Sequence, residues 1–295
     1  MRNRIKQSMA ASLGLLMLSF FYACDKQDVK SGTEPGPDQS KLSVYLTDGP
    51  AYFDKVMVDI QSIAVKVDTS QKDWDGNDHH AKDWLNQCFN HDQDDTAAVW
   101  DTLSINPGVY NLLDFANGAD TLLTSDVIPK GRILAFRLTL GDQNSLVKDS
   151  VTYPVQLFPG WEDIYIRVYG ASFEKVSSGH FKIWIDFDAG RSIVKARAGS
   201  FYLLPVLKAF AISNTGRVEG QVLPADAYPV VSVYNDTDTA YAIPGRSGFF
   251  MVRGLEEGDY TVYINASNGY QDTVLQDVSV KAGGDARLGN IHLHK

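Results

Sequence analysis

Apolar side chains at every second position are the feature that most limits what this chain can become. In "FKIWIDFDA", Phe181, Ile183, Ile185 and Phe187 share one face, while Lys182, Trp184, Asp186 and Asp188 share the other. Successive side chains of an extended strand point to opposite faces, so this stretch buries one side of a sheet and does not suit a helix. "KLSVYLT" repeats the pattern with Leu42, Val44 and Leu46 inward, and "DGP" then turns the chain. In "VMVDIQSIAVKV" the apolar set Val56, Val58 and Ile60 passes to Ile63, Val65 and Val67. The slip of one position at Gln61-Ser62 predicts a β-bulge that keeps one face buried. Further strands are expected over 132–140, 151–157 and 164–169, and "FYLLPVLKAFAI" closes the set near Ile212. Long helical periodicities are absent, so an antiparallel sandwich is expected rather than an α/β sheet.

"SNTG" marks a boundary. Beyond it, "RVEGQVL", "PVVSVYN", "TAYAI", "GFFMVRGL", "DYTVYINAS", "LQDVSVKAG" and "ARLGNIHL" predict seven short strands separated by turn signals. The expected fold is all-β, two antiparallel β-sandwich domains in series over residues 41–213 and 214–295. The second is a small seven-stranded Greek-key module.

Three blocks in the first unit, "LSVYLTDGP", "IPKGRILAFRLTL" and "IDFDAGRSIVKARAGSFYLLPVL", resemble in order the landmarks of the family catalogued as domain of unknown function 4382. The resemblance spans about 41–212 and implies a β-rich fold in an extracytoplasmic setting. It implies no particular activity. In the second unit Gly220-Gln-Val222, Gly248-Phe249-Phe250, Gly254-Leu255, Gly258-Asp-Tyr260 and Leu288-Gly289-Asn-Ile291 resemble carboxypeptidase regulatory-like, transthyretin-like domains. That likeness implies a non-catalytic spacer or accessory module.

The N-terminus reads as an address. Arg2, Arg4 and Lys6 precede an apolar run from Met9 to Tyr22, well short of the roughly 20 residues of a membrane-spanning helix. A positive start and a short apolar middle are the marks of an export signal. Phe21-Tyr22-Ala23-Cys24 resembles a bacterial lipobox, which implies cleavage after residue 23 and lipid on Cys24. More than one acyl chain there would anchor the chain to a membrane, at about 0.8 kcal/mol per buried CH₂. Residues 24–40 contain "SGTEPGPDQS", polar and rich in Gly and Pro, and read as a flexible tether. Its charged start "DKQD" resembles the tags that send lipoproteins of the Bacteroidota to the cell surface. The expected place is the cell envelope, as an outer-membrane lipoprotein exposed at the surface.

A formal net charge of −9 over 295 residues, with no compensating Lys/Arg stripe, argues against a nucleic acid partner. Cys88 has no disulfide partner once Cys24 carries lipid. Candidate chemistry concentrates in "KDWDGNDHHAKDWLNQCFNHDQDD", 72–95, with seven Asp and three His. Asp73, Asp75 and Asp78 around Gly76 look like the start of a calcium loop; its distal Glu is missing at the fixed spacing, so Asp83 or Asp92 would have to substitute. His79, His80 and His91 are the alternative ligands for a transition metal, although their spacing matches no standard site. Ca²⁺ is the first candidate cofactor, ahead of a transition metal, and none is required, since a long acidic loop between two strands also reads as a solvated segment with no metal. Asp186 and Asp188 point the same way, as ligands or catalytic carboxylates would, but their place before Ala189-Gly190 favours turn capping.

Trp184 is expected to project outward, and Trp74 and Trp84 lie in the polar loop. Exposed aromatic rings stack on sugars and mark binding surfaces, so these three are the candidate ligand contacts for an extracellular glycan or a protein partner. Trp100 and Trp161 are expected in the core or its rim. No G-x-S-x-G, H-E-x-x-H, P-loop or dinucleotide fingerprint is present. The leading expectation is a non-enzymatic binding or adhesion-type surface lipoprotein. The alternatives are a calcium-assisted enzyme acting on extracellular glycans and a structural envelope component.

Overall fold

The computed structural model describes residues 34–49, 51–70, 98–168, 180–196 and 199–295. Cys24 and the acidic loop, with Trp74, Trp84, Asp73, Asp75, Asp78, His79, His80, His91 and Asp92, lie outside them. Among the described residues no helix is long and apolar enough to cross a membrane.

The first sandwich packs two sheets face to face. The smaller orders β13 (Leu207–Phe210), β10 (His180–Asp188), β1 (Gln39–Gly49) and β5 (Thr121–Pro129). The larger orders β11 (Ile193–Lys195), β12 (Phe201–Leu203), β8 (Val151–Leu157), β7 (Ser145–Lys148), β2 (Lys55–Asp68), β6 (Arg132–Leu140) and β9 (Asp163–Arg167). In it β3 (Ala98–Leu103) and β4 (Gly108–Asn111) also pair with β2. Leu42, Val44 and Leu46 of β1 and Ile183, Ile185 and Phe187 of β10 are fully buried against Val56, Val58, Ile60, Ile63, Val65 and Val67 of β2. These are the inward residues that alternation predicts. The slip in β2 is real: its register with β6 shifts between Ile60 and Ser62. That extra residue keeps Ile60 and Ile63 both in the core.

Three features differ from the sequence expectation. Most pairs are antiparallel, but β1 runs parallel to β10 and β8 parallel to β12. A period of two is common to both arrangements, so spacing alone does not separate them. The closing stretch is two strands rather than one. Pro205 interrupts it, and β12 joins the larger sheet while β13 joins the smaller. A proline has no N–H for the ladder, so the chain changes sheet there. Finally, β1 begins at Gln39 with Ser40 fully buried, two residues into the stretch read as tether.

The seven strands expected beyond the boundary all form: β14 (Gly216–Leu223), β15 (Val230–Tyr234), β16 (Thr239–Ala242), β17 (Phe249–Leu255), β18 (Gly258–Asn265), β19 (Thr273–Val280) and β20 (Asp285–His292). They build a three-stranded sheet, β17-β14-β20, and a four-stranded sheet, β16-β15-β18-β19. Between them lies a separate core of Val218, Val222, Phe250, Tyr260, Val262 and Ile264. The pair β14–β20 is parallel. The segment after β20 is pinned: Leu293 is buried and its N–H donates to Leu223 O at 2.8 Å.

Gly248 shows how tightly this sandwich is closed. Its φ is +82°, and a Cβ there would lie 2.2 Å from Val222 O. Gly248→Ala is expected to cost about 2–4 kcal/mol, from left-handed strain and overpacking together. Gly245→Ala, whose Cβ would meet nothing closer than 3.9 Å, is the control and should melt like wild type. Equal melting curves for both variants would show that the turn yields.

Candidate functional site

The outer face of the β10–β1 sheet, where a ligand was expected, is covered. Trp184 does point away from the core but is only 9% exposed, which corrects the expectation of an exposed aromatic contact. Its ring stacks on Tyr45 at 4.8 Å and lies 6.3 Å from Phe210. Its Nε1 donates to Asp120 Oδ2 at 2.9 Å. Asp120 in turn pairs with Arg253 of β17, again at 2.9 Å. The cover therefore comes from the second sandwich and the turn before β5.

Below Trp184 this junction becomes a cluster of carboxylates. Asp48, Asp186, Asp188, Arg191, Lys208, Asp238 and Tyr241 line a cavity of about 40 Å³ between the sandwiches. Alternation puts Asp186 and Asp188 on the outer face of β10, and β1 runs beside them with Gly49 opposite Asp188. Asp188 caps the helical turn Ala189–Ser192. Its Oδ1 accepts from Arg191 N at 2.8 Å and its Oδ2 pairs with Arg191 Nε at 2.6 Å. An Asp at this position satisfies an N–H that the turn would otherwise leave orphaned. Lys208, opposite Asp186 across β13, reaches over the junction to Asp238 Oδ2 at 2.6 Å. The Arg191 guanidinium lies 6.0 Å from the Tyr241 ring.

Asp48 is the residue the sequence reading passed over, because "DGP" reads as a turn. The strand in fact continues through Gly49, so the alternation of Leu42, Val44 and Leu46 carries Asp48 to the buried face. That phase was the available signal. Asp48 is 6% exposed. Its Oδ1 accepts from Ala189 N at 2.9 Å, and its Oδ2 has no hydrogen-bond partner among the described residues. Burial, with the charges of Asp186 and Asp188 adding to it, pushes its carboxyl up to about 9. The group is therefore neutral at pH 7. Burial and the Asp188 charge raise Asp186 to about 6, while Lys208 and Arg191 pull the other way.

What can this arrangement do? Its cavity has room for water but falls far below the roughly 300–1,000 Å³ of small-molecule sites. A glycan ring does not fit between these carboxylates. Among the described residues no group of three or more His, Cys, Asp or Glu is placed to hold a metal ion. Asp188 of the cluster caps a turn, and Lys208 with Asp238 ties the two sandwiches together. A further tie is Asn117 Nδ2 donating to Ile243 O at 3.1 Å.

The molecule has a roomier opening elsewhere. Tyr52 of the first sandwich and Ala225, Asp226, Tyr228, Pro229, Ile243, Pro244, Gly245 and Arg246 of the second line a cleft of about 380 Å³. Tyr52 and Tyr228 are 63% and 67% exposed. No feature of the sequence reading singled them out, since lone tyrosines in turns carry no periodic signal. Trp161, expected in the core or rim, is 49% exposed beside Phe158. Trp100 packs against Tyr165 and under Arg137.

Comparison with known proteins places the first sandwich. No curated protein matches the chain. Among solved structures it is similar to a type II cohesin–X-dockerin complex from Acetivibrio cellulolyticus, at 25% identity and a TM-score of 0.23. That match covers 26% of this chain and 56% of the other. The minor pilin GBS52 of Streptococcus agalactiae aligns at 13% identity and a TM-score of 0.21, over 87% of this chain and 96% of the pilin. The shaft pilin SpaA of Lactobacillus rhamnosus GG aligns at 10% identity and a TM-score of 0.24, over 86% and 98%. Residues 39–205, more than half of the chain, match the model of a family described as Domain of unknown function (DUF4382), and the chain belongs to that family.

Proposed function

We propose that this chain is a lipid-anchored lipoprotein of the bacterial cell envelope, displayed at the surface, whose role is non-catalytic binding. The observation that carries the reading is the contrast between two openings among the described residues. The acidic junction, where carboxylates gather among the described residues, encloses only about 40 Å³, and Asp188, Asp238 and one oxygen of Asp48 are engaged by the fold. The cleft of about 380 Å³ is open and presents aromatic rings. The ion pairs Arg253–Asp120 and Lys208–Asp238 bridge the sandwiches, so the second sandwich serves as a stiff extension of the first. Its seven strands and glycine spacing support a carboxypeptidase regulatory-like spacer. Lipid on Cys24 would fix the chain to the outer membrane, with residues 25–38 as the leash.

Detergent phase partitioning of cells fed labelled palmitate tests the anchor. Wild type is expected to carry label and enter the detergent phase, whereas Cys24→Ala should lose both properties. Labelling that persists without Cys24 would overturn the anchor. Protection of the wild-type chain from protease on intact cells would overturn surface display.

A further inference from the structure

We propose that the cleft between the sandwiches is a saccharide site, in which the rings of Tyr52 and Tyr228 stack on a neutral sugar while Asp226 and Arg246 take its hydroxyls. The inference rests on the binding role proposed above and names its ligand class.

Four observations converge. The volume of about 380 Å³ lies at the lower end of the range for small-molecule sites. Its two aromatic rings are the most exposed large side chains of apolar character among the described residues. Sugar rings present faces of C–H groups, and aromatic faces, with their negative quadrupole, attract them. The cleft also carries one carboxylate and one guanidinium. A ligand of either charge meets a like charge there, whereas a polyhydroxyl ligand donates to Asp226 and accepts from Arg246 without a net charge of its own.

The fourth observation is backbone conformation. Tyr228 sits at φ 44° and ψ 55°, a left-handed conformation that side-chain-bearing residues rarely adopt. Its turn is bolted in place: Tyr228 N donates to Ala225 O at 3.1 Å, Ser267 N to Ala227 O at 2.7 Å and Asn268 Nδ2 to Asp226 O at 2.6 Å. Glycine would meet this φ at no cost. A tyrosine held there, with its ring in solvent, fits a residue retained for contact rather than for the fold. Another exposed aromatic group, Phe158 and Trp161, differs. Phe158 is stacked on Tyr202 at 4.8 Å, so part of its surface is already occupied.

Titration calorimetry of the full chain in a sugar-free zwitterionic detergent tests the site, with cellobiose, maltose, lactose, xylobiose and N,N′-diacetylchitobiose as probes and decaproline as the peptide comparison. At least one disaccharide is expected to bind. Tyr52→Ala and Tyr228→Ala should each weaken it about fivefold or more, and Tyr228→Phe should keep wild-type affinity. Tyr228→Gly should lose binding while melting at or above the wild-type temperature, a combination that a structural tyrosine would not give. Trp161→Ala should change nothing.

Failure of all five sugars overturns the saccharide assignment and leaves the anchor result standing. Sugar binding that ignores both tyrosines, or is lost in Trp161→Ala, keeps the binding role and overturns the cleft as its site. Decaproline binding that depends on Tyr52, with no sugar bound, keeps the cleft and overturns the ligand class.

Discussion

Asp48→Asn is expected to abolish most of the fall in stability that this protein shows between about pH 5 and pH 8. The buried carboxyl of Asp48 has its pKa raised from 3.8 to about 9, so the folded state holds that proton far more tightly than the unfolded chain. Its contribution is complete below pH 3.8 and is lost progressively as pH rises through about 9. Within that window linkage predicts a fall of up to about 1.4 kcal/mol per pH unit for one proton. Asp186, raised to about 6, adds to the slope only at the acid end. Asparagine keeps the acceptor for Ala189 N and cannot ionise. It also places a donor where Oδ2 now lacks a partner. Thermal melts of both proteins from pH 5 to pH 8 check the claim. Wild type should lose up to about 8–16 °C, at about 2–4 °C per kcal/mol for a unit of this size, and the variant should hold nearly level and melt higher at pH 8. A variant with the wild-type slope would place the titrating group elsewhere.

Trp184→Ala should be the most damaging single change at the junction, costing about 3–5 kcal/mol in a denaturant titration. The indole is sandwiched between Tyr45 and Phe210, and its removal leaves a void that a strand flanked on both sides cannot close. It also takes one hydrogen bond from Asp120, which must then hold Arg253 of the second sandwich alone. Trp184→Phe separates the two effects: it keeps the stacked ring and loses only the Nε1 bond, a loss of about 1 kcal/mol. An alanine variant as stable as wild type but weaker in sugar binding would return Trp184 to the surface role that alternation first gave it.

That residue shows where reading from sequence stops. Alternation correctly placed Trp184 on the face opposite Ile183 and Ile185, because the direction of a side chain on a strand is set by the strand itself. What lies over that face depends on Asp120, some 60 residues away, and on β17, and no local pattern encodes either. Asp48 shows the converse. Its burial followed from the phase of Leu42, Val44 and Leu46, but the turn signal of "DGP" outweighed it. The helical turn after Asp188 was legible, since capping is a local matter between a carboxylate and an N–H three residues on.

By itself the sequence determined what is local: a β-rich chain, the bulge near Gln61, seven strands after the boundary, and the inward residues of each clear strand. Hydrophobic alternation and turn chemistry act over a few residues, so they can be read in order along the chain. Only the tertiary structure decided the parallel pairing of β1 with β10, the change of sheet at Pro205, the acidic junction and the tyrosine cleft. Each of these depends on surfaces brought together from distant parts of the chain. Their stability comes from complementary packing and paired charges, whose partners are chosen by the fold and leave no periodic trace.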